Sequence, residues 1–161
     1  MGIKRLFLIR HAEAEFTGHG RGDHGRVLTP EGHDQAKDLG AELTAFGIEA
    51  VLASSADRAT QTAHGLGLSA PVTTLDELYN GSTHSLVRAL ANLDEAVTTA
   101  AVVAHAPGVP ALVEGLADDT SDPEMFSIVS SFFPTATAAG IEFEGTWLDV
   151  RPGRLFWARR G

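Results

Sequence analysis

Residues 6–11 read Leu-Phe-Leu-Ile-Arg-His, an apolar run that ends abruptly in an arginine and a histidine. A run that is apolar at consecutive positions is typical of a strand buried on both faces, as the strands of a parallel sheet are. We therefore predict a β-strand over residues 4–10. Similar strands are predicted over 49–53 and 100–104, and a stretch with helical spacing follows each of the three, which predicts an α/β domain with a largely parallel sheet.

Helix signals occupy the segments between these strands. Residues 29–31, Thr-Pro-Glu, are typical of an N-cap, a proline at the first helical position and an acidic first turn, and Gly47 is predicted to end this helix. Ser54 or Ser55 is predicted to cap a second helix that continues to Leu66. Further helices are predicted over 82–93 and 109–116, with a brief strand near 71–74.

The C-terminal part of the chain has the pattern of a β-hairpin. Segments 135–143 and 146–150 flank the dipeptide Glu144-Gly145, and we expect both strands to join the edge of the sheet in an antiparallel direction. A length of 161 residues suits one domain with a core of its own. Residues 1–161 are therefore predicted to form a single domain.

The charge balance argues against a nucleic-acid partner. The chain has 21 acidic and 12 basic residues, which gives a net charge of −9, whereas a phosphate backbone is bound by a basic surface. A small anionic ligand needs only a local cluster of arginines and is not excluded. There is no cysteine, which excludes a disulfide framework, a thiolate metal site and a cysteine nucleophile.

Membrane and targeting signals are not found in the sequence. No stretch approaches the roughly twenty apolar residues that span a bilayer. The apolar run 6–9 is too short for the core of a signal peptide. We therefore expect a cytoplasmic protein with no membrane partner; the oligomeric state is not predicted.

Reactive side chains follow the predicted strands at the points where these end. Arg10 and His11 end the first strand, Arg58 falls in the first turn of the helix after the second, and His105 follows the strand 100–104. Open α/β sheets bind ligands at the carboxyl ends of their strands. We therefore predict that these four residues converge on one edge of the sheet.

Such a cluster would suit a phosphoryl group. Two guanidinium groups match the oxygens of a phosphate, and a neutral imidazole can attack phosphorus to form a phosphoenzyme. Taken singly, His11 or His105 is more often a structural histidine, and Arg58 a solvated or salt-bridged residue. The convergence of all four favours the functional interpretation.

Four segments resemble motifs of the histidine phosphatase superfamily, which includes the phosphoglycerate mutases. Residues 8–14, Leu-Ile-Arg-His-Ala-Glu-Ala, are similar to its Arg-His-Gly signature, with Ala12 in the place of the glycine. Residues 28–32, 54–63 and 103–107 are similar to three further segments, in the family's order and spacing. The resemblance implies a phosphoglycerate mutase-like α/β fold: a three-layer αβα sandwich with a mostly parallel central sheet and an antiparallel C-terminal hairpin.

The resemblance also implies a role for each residue of the cluster. His11 would be the nucleophile that is phosphorylated. Arg10, Arg58 and His105 would bind the phosphoryl group and complete the catalytic set. Neither a metal ion nor an organic cofactor would be needed.

Two further residues are candidates for the same site. Many family members use a glutamate after the third strand as general acid, and Glu77 is the nearest match, although a solvated acidic turn is an equal alternative. Arg26 follows the loop 18–25, which is rich in glycine and histidine and is expected to be flexible and to lie at the site mouth. Arg26 is either a further phosphate-binding residue or a solvated loop arginine.

The short chain is most similar to phosphohistidine phosphatases of the SixA type. This similarity implies an enzyme that removes a phosphoryl group from phosphohistidine on a signalling or phosphotransfer protein. The alternatives are a phosphomonoesterase for a small metabolite and a catalytically silent phosphate-binding regulatory module. The expected partner is a phosphorylated protein or a small phosphate-bearing substrate.

Overall fold

The computed structural model describes residues 2–161 and consists of a central six-stranded sheet with helices on both faces. The strands are β1 Ile3–Arg10, β2 Ala50–Ser54, β3 Val72–Leu75, β4 Thr99–Ala104, β5 Ala138–Glu144 and β6 Arg154–Arg159. The α-helices are α1 Pro30–Leu43, α2 Asp57–Gly65, α3 Thr83–Leu90, α4 Gly108–Leu116 and α5 Pro123–Ser130. Short 3-10 turns lie at Asp23–Gly25, Thr44–Phe46 and Asp76–Leu78.

The sheet is parallel in its first four strands and antiparallel at one edge. The strand order is β3-β2-β4-β1-β5-β6. β1 and β4, β2 and β4, and β2 and β3 pair in parallel, whereas β5 runs antiparallel to both β1 and β6. This topology confirms the α/β fold with a mostly parallel sheet and an antiparallel C-terminal hairpin.

The apolar run of β1 divides its side chains between two cores. Leu6 and Leu8 pack on one face of the sheet with residues of α3, α4 and α5. Phe7 and Ile9 pack on the other face with residues of α1 and α2. Successive side chains of a strand point to opposite faces, and all four are fully buried because both faces are covered by helices. The three layers are thereby confirmed.

The second strand of the predicted hairpin was placed wrongly. Residues 146–150 do not form a strand of the sheet, and the hairpin partner of β5 is β6. Trp147 is fully buried, and its indole N–H donates a hydrogen bond to the Val97 carbonyl at 2.7 Å. This anchor holds the segment in a turn, which is closed by a bridge between Thr146 and Asp149.

The structure confirms the predicted N-cap of α1 and the glycine that ends its segment, and it corrects the predicted N-cap of α2. The Thr29 side chain caps α1 by accepting a hydrogen bond from the Gly32 N–H, and Gly47 has the left-handed φ of 66° that ends the segment. In contrast, neither Ser54 nor Ser55 caps α2, whose N-cap position is Ala56. α5 was not predicted, although Asp122 caps it and a proline follows. In residues 2–161 no helix is long and apolar enough to cross a bilayer.

Candidate active site

His11 directly follows β1 and is positioned by its own backbone. Its Nδ1 lies 2.7 Å from the Ala12 carbonyl oxygen, which can only accept, so Nδ1 carries the proton and Nε2 keeps a lone pair. The Ala12 N–H in turn donates to Thr62 Oγ1 on α2 at 2.9 Å. Burial lowers the pKa of His11 to about 4, assisted by the positive charges of Arg58 and Arg10 and opposed by the Ala12 bond. His11 is therefore a neutral, oriented imidazole at neutral pH.

His105 follows β4 and faces His11, with the two ring centroids 5.2 Å apart. Its Nε2 lies 2.8 Å from the buried Ser54 Oγ, which also accepts a hydrogen bond from the Ala56 N–H at 3.2 Å. Within residues 2–161 His105 Nε2 is the one bonded atom that could accept the Ser54 hydroxyl proton, so we assign the proton of neutral His105 to Nδ1. Nδ1 is buried without a partner in the described chain, and this leaves a donor for an oxyanion.

The pKa of His105 is lowered to about 3, first by burial and then by the neighbouring His11 and Arg58. His105 is therefore a neutral imidazole and not an imidazolium at neutral pH. Two neutral imidazoles can lie beside two guanidinium groups without charge repulsion between histidine and arginine, because only the arginines are charged.

Arg10 is the last residue of β1. Its Nη1 donates to the Phe133 carbonyl at 3.0 Å, so the segment after α5 orients the guanidinium. Its Nε is buried and has no partner among the described residues. Burial lowers the pKa of Arg10, although an arginine stays charged at neutral pH.

Arg58 lies in the first turn of α2 and is 5% exposed. Its Nη1 donates to the Asp23 carbonyl at 2.9 Å and its Nη2 to Asp23 Oδ2 at 3.2 Å. Arg58 Nε is also buried without a partner in residues 2–161. Buried unpaired donors are rare in proteins, so the Nε atoms of Arg10 and Arg58 indicate a site for an anion.

One cavity of about 670 Å³, called the phosphate cavity below, brings the predicted residues together. Arg10, His11, Arg58 and His105 all line it, which is the convergence that the strand ends predict. Arg26 also lines the phosphate cavity, as the first of its two interpretations, a phosphate-binding residue, requires. Arg26 is held by a bond from its Nε to the Glu15 carbonyl at 2.6 Å and one from its Nη1 to Asp23 Oδ1 at 3.1 Å.

Glu77 is not among the residues that line the phosphate cavity, so the structure does not bring this general-acid candidate together with the other four. Glu77 belongs to an exposed 3-10 turn in which the adjacent Leu78 enters the core, at 1% exposure. The glutamate side chain therefore points elsewhere and lines a different cavity, together with Ser85 and Arg88. The carboxylates that line the phosphate cavity are Glu13 and Glu15.

Both of these carboxylates have partners. Glu13 Oε1 accepts a hydrogen bond from the Thr29 hydroxyl at 2.8 Å, and Glu15 Oε2 pairs with His19 Nε2. In residues 2–161 no cluster of three or more histidine or carboxylate side chains has an arrangement that could hold a metal ion.

Sequence reasoning missed Ser54 and Asp23 as residues of the site. The signal for Ser54 was its position at the carboxyl end of β2, but the serine was interpreted as a helix cap. Asp23 begins the short 3-10 turn Asp23–Gly25 within a loop, where no periodic pattern shows which side chain contacts the arginines.

Comparison with protein families gives one match, over residues 6–87, to the model of the histidine phosphatase superfamily (branch 1). An uncharacterized protein of Mycobacterium tuberculosis is 34% identical over 148 residues, which cover 90% of this chain and 93% of that protein. An uncharacterized protein of Mycobacterium leprae is 30% identical, covering 86% of this chain and 89% of the relative.

Solved structures show the same architecture. A protein from Nakamurella multipartitia, assigned as a phosphohistidine phosphatase SixA, is 30% identical with a TM-score of 0.88, covering 99% of this chain and 96% of that chain. The protein histidine phosphatase SixA complexed with tungstate is 26% identical with a TM-score of 0.76, covering 97% and 96%. A mycobacterial glucosyl-3-phosphoglycerate phosphatase shares the fold at 17% identity and a TM-score of 0.66, covering 97% and 99%.

Proposed function

The chain belongs to the histidine phosphatase superfamily, and we propose that it removes the phosphoryl group from phosphohistidine on a signalling or phosphotransfer protein. The observation that carries the proposal is the state of His11. Its Nδ1 proton is engaged by the Ala12 carbonyl, and its Nε2 lone pair is left for attack in a cavity lined by Arg10, Arg58 and His105.

The first step is the transfer of the phosphoryl group to the enzyme. His11 Nε2 donates its lone pair to phosphorus, a new P–N bond forms, and the P–N bond to the substrate imidazole breaks. The leaving nitrogen takes a proton from water, so substrate histidine is released and His11 carries the phosphoryl group. Splitting the reaction in this way replaces one difficult displacement by two easier ones.

The second step returns the enzyme to its starting state. A water molecule attacks phosphorus, the P–N bond to His11 breaks, and inorganic phosphate leaves. The proton lost by the attacking water passes to solvent, where it balances the proton that the leaving nitrogen took up in the first step. Phosphoryl transfer depends mainly on positioning and on stabilising the charge of the equatorial oxygens. Arg10, Arg58 and the Nδ1–H of His105 supply donors for those oxygens in both steps.

The placement of the carboxylates supports a phosphoramidate substrate. A phosphate ester needs help to protonate its leaving oxygen, whereas the labile P–N bond of phosphohistidine breaks after protonation by water. Glu77 does not line the phosphate cavity. The Glu15 carboxylate there is paired with His19, and the Glu13 carboxylate there accepts a hydrogen bond from the Thr29 hydroxyl. A dedicated acid is therefore not required by the reaction that we propose.

An exposed aromatic residue at the cavity supports a protein substrate. Phe16 lines the phosphate cavity and is 98% exposed. A large apolar side chain that is fully exposed beside a site can be covered by the surface of a partner protein. The similarity to the tungstate-bound SixA protein, over nearly the whole of both chains, agrees with this substrate class.

The remaining features of the proposal follow from the chemistry. The two steps use side chains of the chain together with water, so we propose a reaction independent of metal ions and of organic cofactors. We propose further that residues 1–161 act as one domain in the cytoplasm, where phosphotransfer proteins carry histidine-bound phosphate. The net charge of −9 disfavours nucleic acid as partner.

A phosphomonoesterase for a small metabolite is the second candidate. Its supporting observation is Glu13, whose carboxylate lines the phosphate cavity and could protonate an ester oxygen. A silent phosphate-binding module is disfavoured, because the nucleophile and its three partners are all present in one cavity.

A substrate panel tests the proposal. Wild-type protein and His11→Ala are assayed with a phosphorylated histidine domain, an aryl phosphate and a set of sugar phosphates. We expect preferential turnover of the phosphohistidine protein, a loss of at least roughly a thousandfold in His11→Ala, and an acid-labile phosphate trapped on the wild type. Turnover confined to sugar phosphates would favour the second candidate, and binding without turnover the third.

A further inference from the structure

We propose that Asp23 is a positioning residue that orients the guanidinium groups of Arg58 and Arg26 toward the phosphate cavity. The inference rests on the proposed function and deepens it. Asp23 lies in the loop 18–25, which the reaction described above leaves without a role.

Asp23 binds the two arginines through different oxygen atoms. Its backbone carbonyl and its Oδ2 accept the bonds from Arg58 Nη1 and Nη2, at 2.9 and 3.2 Å. Its Oδ1 accepts the bond from Arg26 Nη1 at 3.1 Å. Two bonds to one guanidinium fix the plane of that group, and the third connects it to the second arginine of the cavity.

The Asp23 carboxylate is itself held by Tyr79. The Tyr79 hydroxyl donates to Asp23 Oδ2 at 2.6 Å, and the Tyr79 ring packs edge-on against His24, with centroids 4.8 Å apart. The bond from Tyr79, followed by that from Arg26, holds the pKa of the Asp23 carboxyl well below its usual range. The acceptor is therefore ionised at neutral pH.

The burial of Arg58 distinguishes this contact from an ordinary surface ion pair. The Arg58 side chain is 6% exposed, whereas that of Asp23 is 50% exposed. Exposed pairs contribute little to stability, but a buried guanidinium that loses its acceptors must find others or turn toward solvent. Removing the Asp23 side chain keeps the backbone acceptor of Arg58 Nη1 but takes away the acceptor of Nη2, so we expect the guanidinium plane to turn.

Asp23 acts through the arginines and not on the phosphoryl group. Arg58 and Arg26 line the phosphate cavity, and Asp23 does not. Asp23 accepts hydrogen bonds from both terminal nitrogens of Arg58. The Arg58 Nε has no partner in residues 2–161 and is left for an anion. Loss of Asp23 should therefore weaken oxyanion binding and transition-state stabilisation together.

The test measures oxyanion binding separately from turnover. Tungstate binding is followed by calorimetry, and kcat and KM are measured with an aryl phosphate, for the wild type, Asp23→Ala and Asp23→Glu. We expect Asp23→Ala to weaken tungstate binding about tenfold and to lower kcat/KM by about 10- to 100-fold, since charged hydrogen-bonded partners of this kind contribute at this level. Asp23→Glu, which keeps the carboxylate, should recover part of both losses.

Asp57→Asn is the matched control, because it removes a half-buried negative charge next to Arg58 in the chain. Asp57 contacts Arg21 at 3.8 Å, and we expect tungstate binding close to that of the wild type. If Asp23→Ala does not fold, as judged by circular dichroism, Tyr79→Phe replaces it. That variant removes one bond to Asp23 and should weaken tungstate binding severalfold.

The outcomes separate this inference from the proposed function. The positioning role is overturned if Asp23→Ala binds tungstate as tightly as the wild type or more tightly. The same holds for Tyr79→Phe where that variant is used, and in both cases the proposed function is left intact. A wild-type protein that does not bind tungstate overturns both. Weakened binding in a folded variant, with a normal Asp57→Asn control, supports the positioning role even if the phosphohistidine protein proves not to be the substrate.

Discussion

The Ser54 hydroxyl oxygen lies 2.8 Å from Nε2 of His105, and this contact decides which nitrogen of the second histidine carries the proton. Ser54 Oγ accepts from the Ala56 N–H, and the hydroxyl proton has no bonded acceptor other than His105 Nε2 among residues 2–161, which favours donation to the imidazole. In the proposed reaction, Ser54 at the end of β2 thereby directs the donor of His105, which follows β4, toward the phosphoryl group.

Replacing Ser54 by alanine should release this control of the tautomer. In Ser54→Ala the His105 proton can move to Nε2, and the donor facing the phosphoryl oxygens is then partly lost. Complete loss of such a donor costs about a hundredfold or more in rate. We therefore expect kcat/KM to fall by about tenfold, with nitrogen-15 chemical shifts of the His105 ring reporting the change of tautomer.

Ser55→Ala is the control for this prediction. Ser55 Oγ lies 3.0 Å from His24 Nε2 and is not bonded to His105. Unchanged ring shifts of His105 in Ser54→Ala, with wild-type kcat/KM, would show that the serine does not select the tautomer.

The parts of the site that could be predicted from the sequence are those fixed by the sheet. Arg10, His11 and His105 each end or follow a strand whose buried apolar run is visible in the sequence, and Arg58 opens the helix after another. Parallel strands bring their carboxyl ends to one edge, so the convergence of these residues needed no knowledge of the loops.

The parts that could not be predicted depend on contacts between distant segments. Trp147 has strand-like neighbours, but its bond to the Val97 carbonyl, 50 residues away, holds it in a turn. Whether Glu77 or Leu78 enters the core depends on one short 3-10 turn. The orientation of the Asp23 carboxylate depends on two partners, Arg58 in α2 and Tyr79 after β3. None of these contacts leaves a periodic signal in the chain.

Glu77→Gln should leave the reaction unchanged. Because Glu77 is exposed and lines a different cavity, kcat and KM for both an aryl phosphate and a phosphohistidine protein should stay within about twofold of the wild type, as for other remote surface changes. Glu13→Gln is the comparison, because Glu13 lines the phosphate cavity. A large loss in Glu77→Gln would mean that this glutamate reaches the substrate after all.

Gly40→Ala should disturb the packing of the helix that carries Arg58. A Cβ built on Gly40 in α1 would lie 1.8 Å from the Leu66 carbonyl oxygen, just beyond the end of α2. The backbone must shift to make room, and overpacking of this kind destabilises a protein by about 1–3 kcal/mol. Urea denaturation measures the effect on the free energy of unfolding.

Gly115→Ala is the matched control for the same exchange in a helix. Gly115 is exposed in α4, and a Cβ there meets no atom within 4 Å. The higher helix propensity of alanine should raise the free energy of unfolding by about 0.5–1 kcal/mol. Equal effects of the two substitutions would contradict the close approach of α1 to the end of α2.

The titration of the His11 ring should lie well below the ordinary pKa of histidine. The pKa of His11 is lowered to about 4 and that of His105 to about 3, so both rings stay neutral in the folded protein as the pH falls through 6.5. We therefore expect the His11 ring resonances, followed by NMR in steps from pH 3.5 to 8, to titrate at about pH 4. The pH profile of kcat/KM with an aryl phosphate also contains the ionisation of the substrate at about pH 6. A midpoint near pH 6.5 for the His11 ring would show that His11 is protonated as in water.

The same two pKa values make the folded state sensitive to acid. Between about pH 6.5 and pH 4 the unfolded chain binds protons on His11 and His105 that the folded chain does not bind. The free energy of unfolding should therefore fall as the pH falls through this window, by an amount on the order of a few kcal/mol. Urea denaturation of His105→Gln measures the contribution of one ring: the variant should lose less stability than the wild type between pH 6.5 and 4, because one proton-binding difference is removed. An identical pH dependence in the two proteins would show that the burial of His105 does not suppress its protonation.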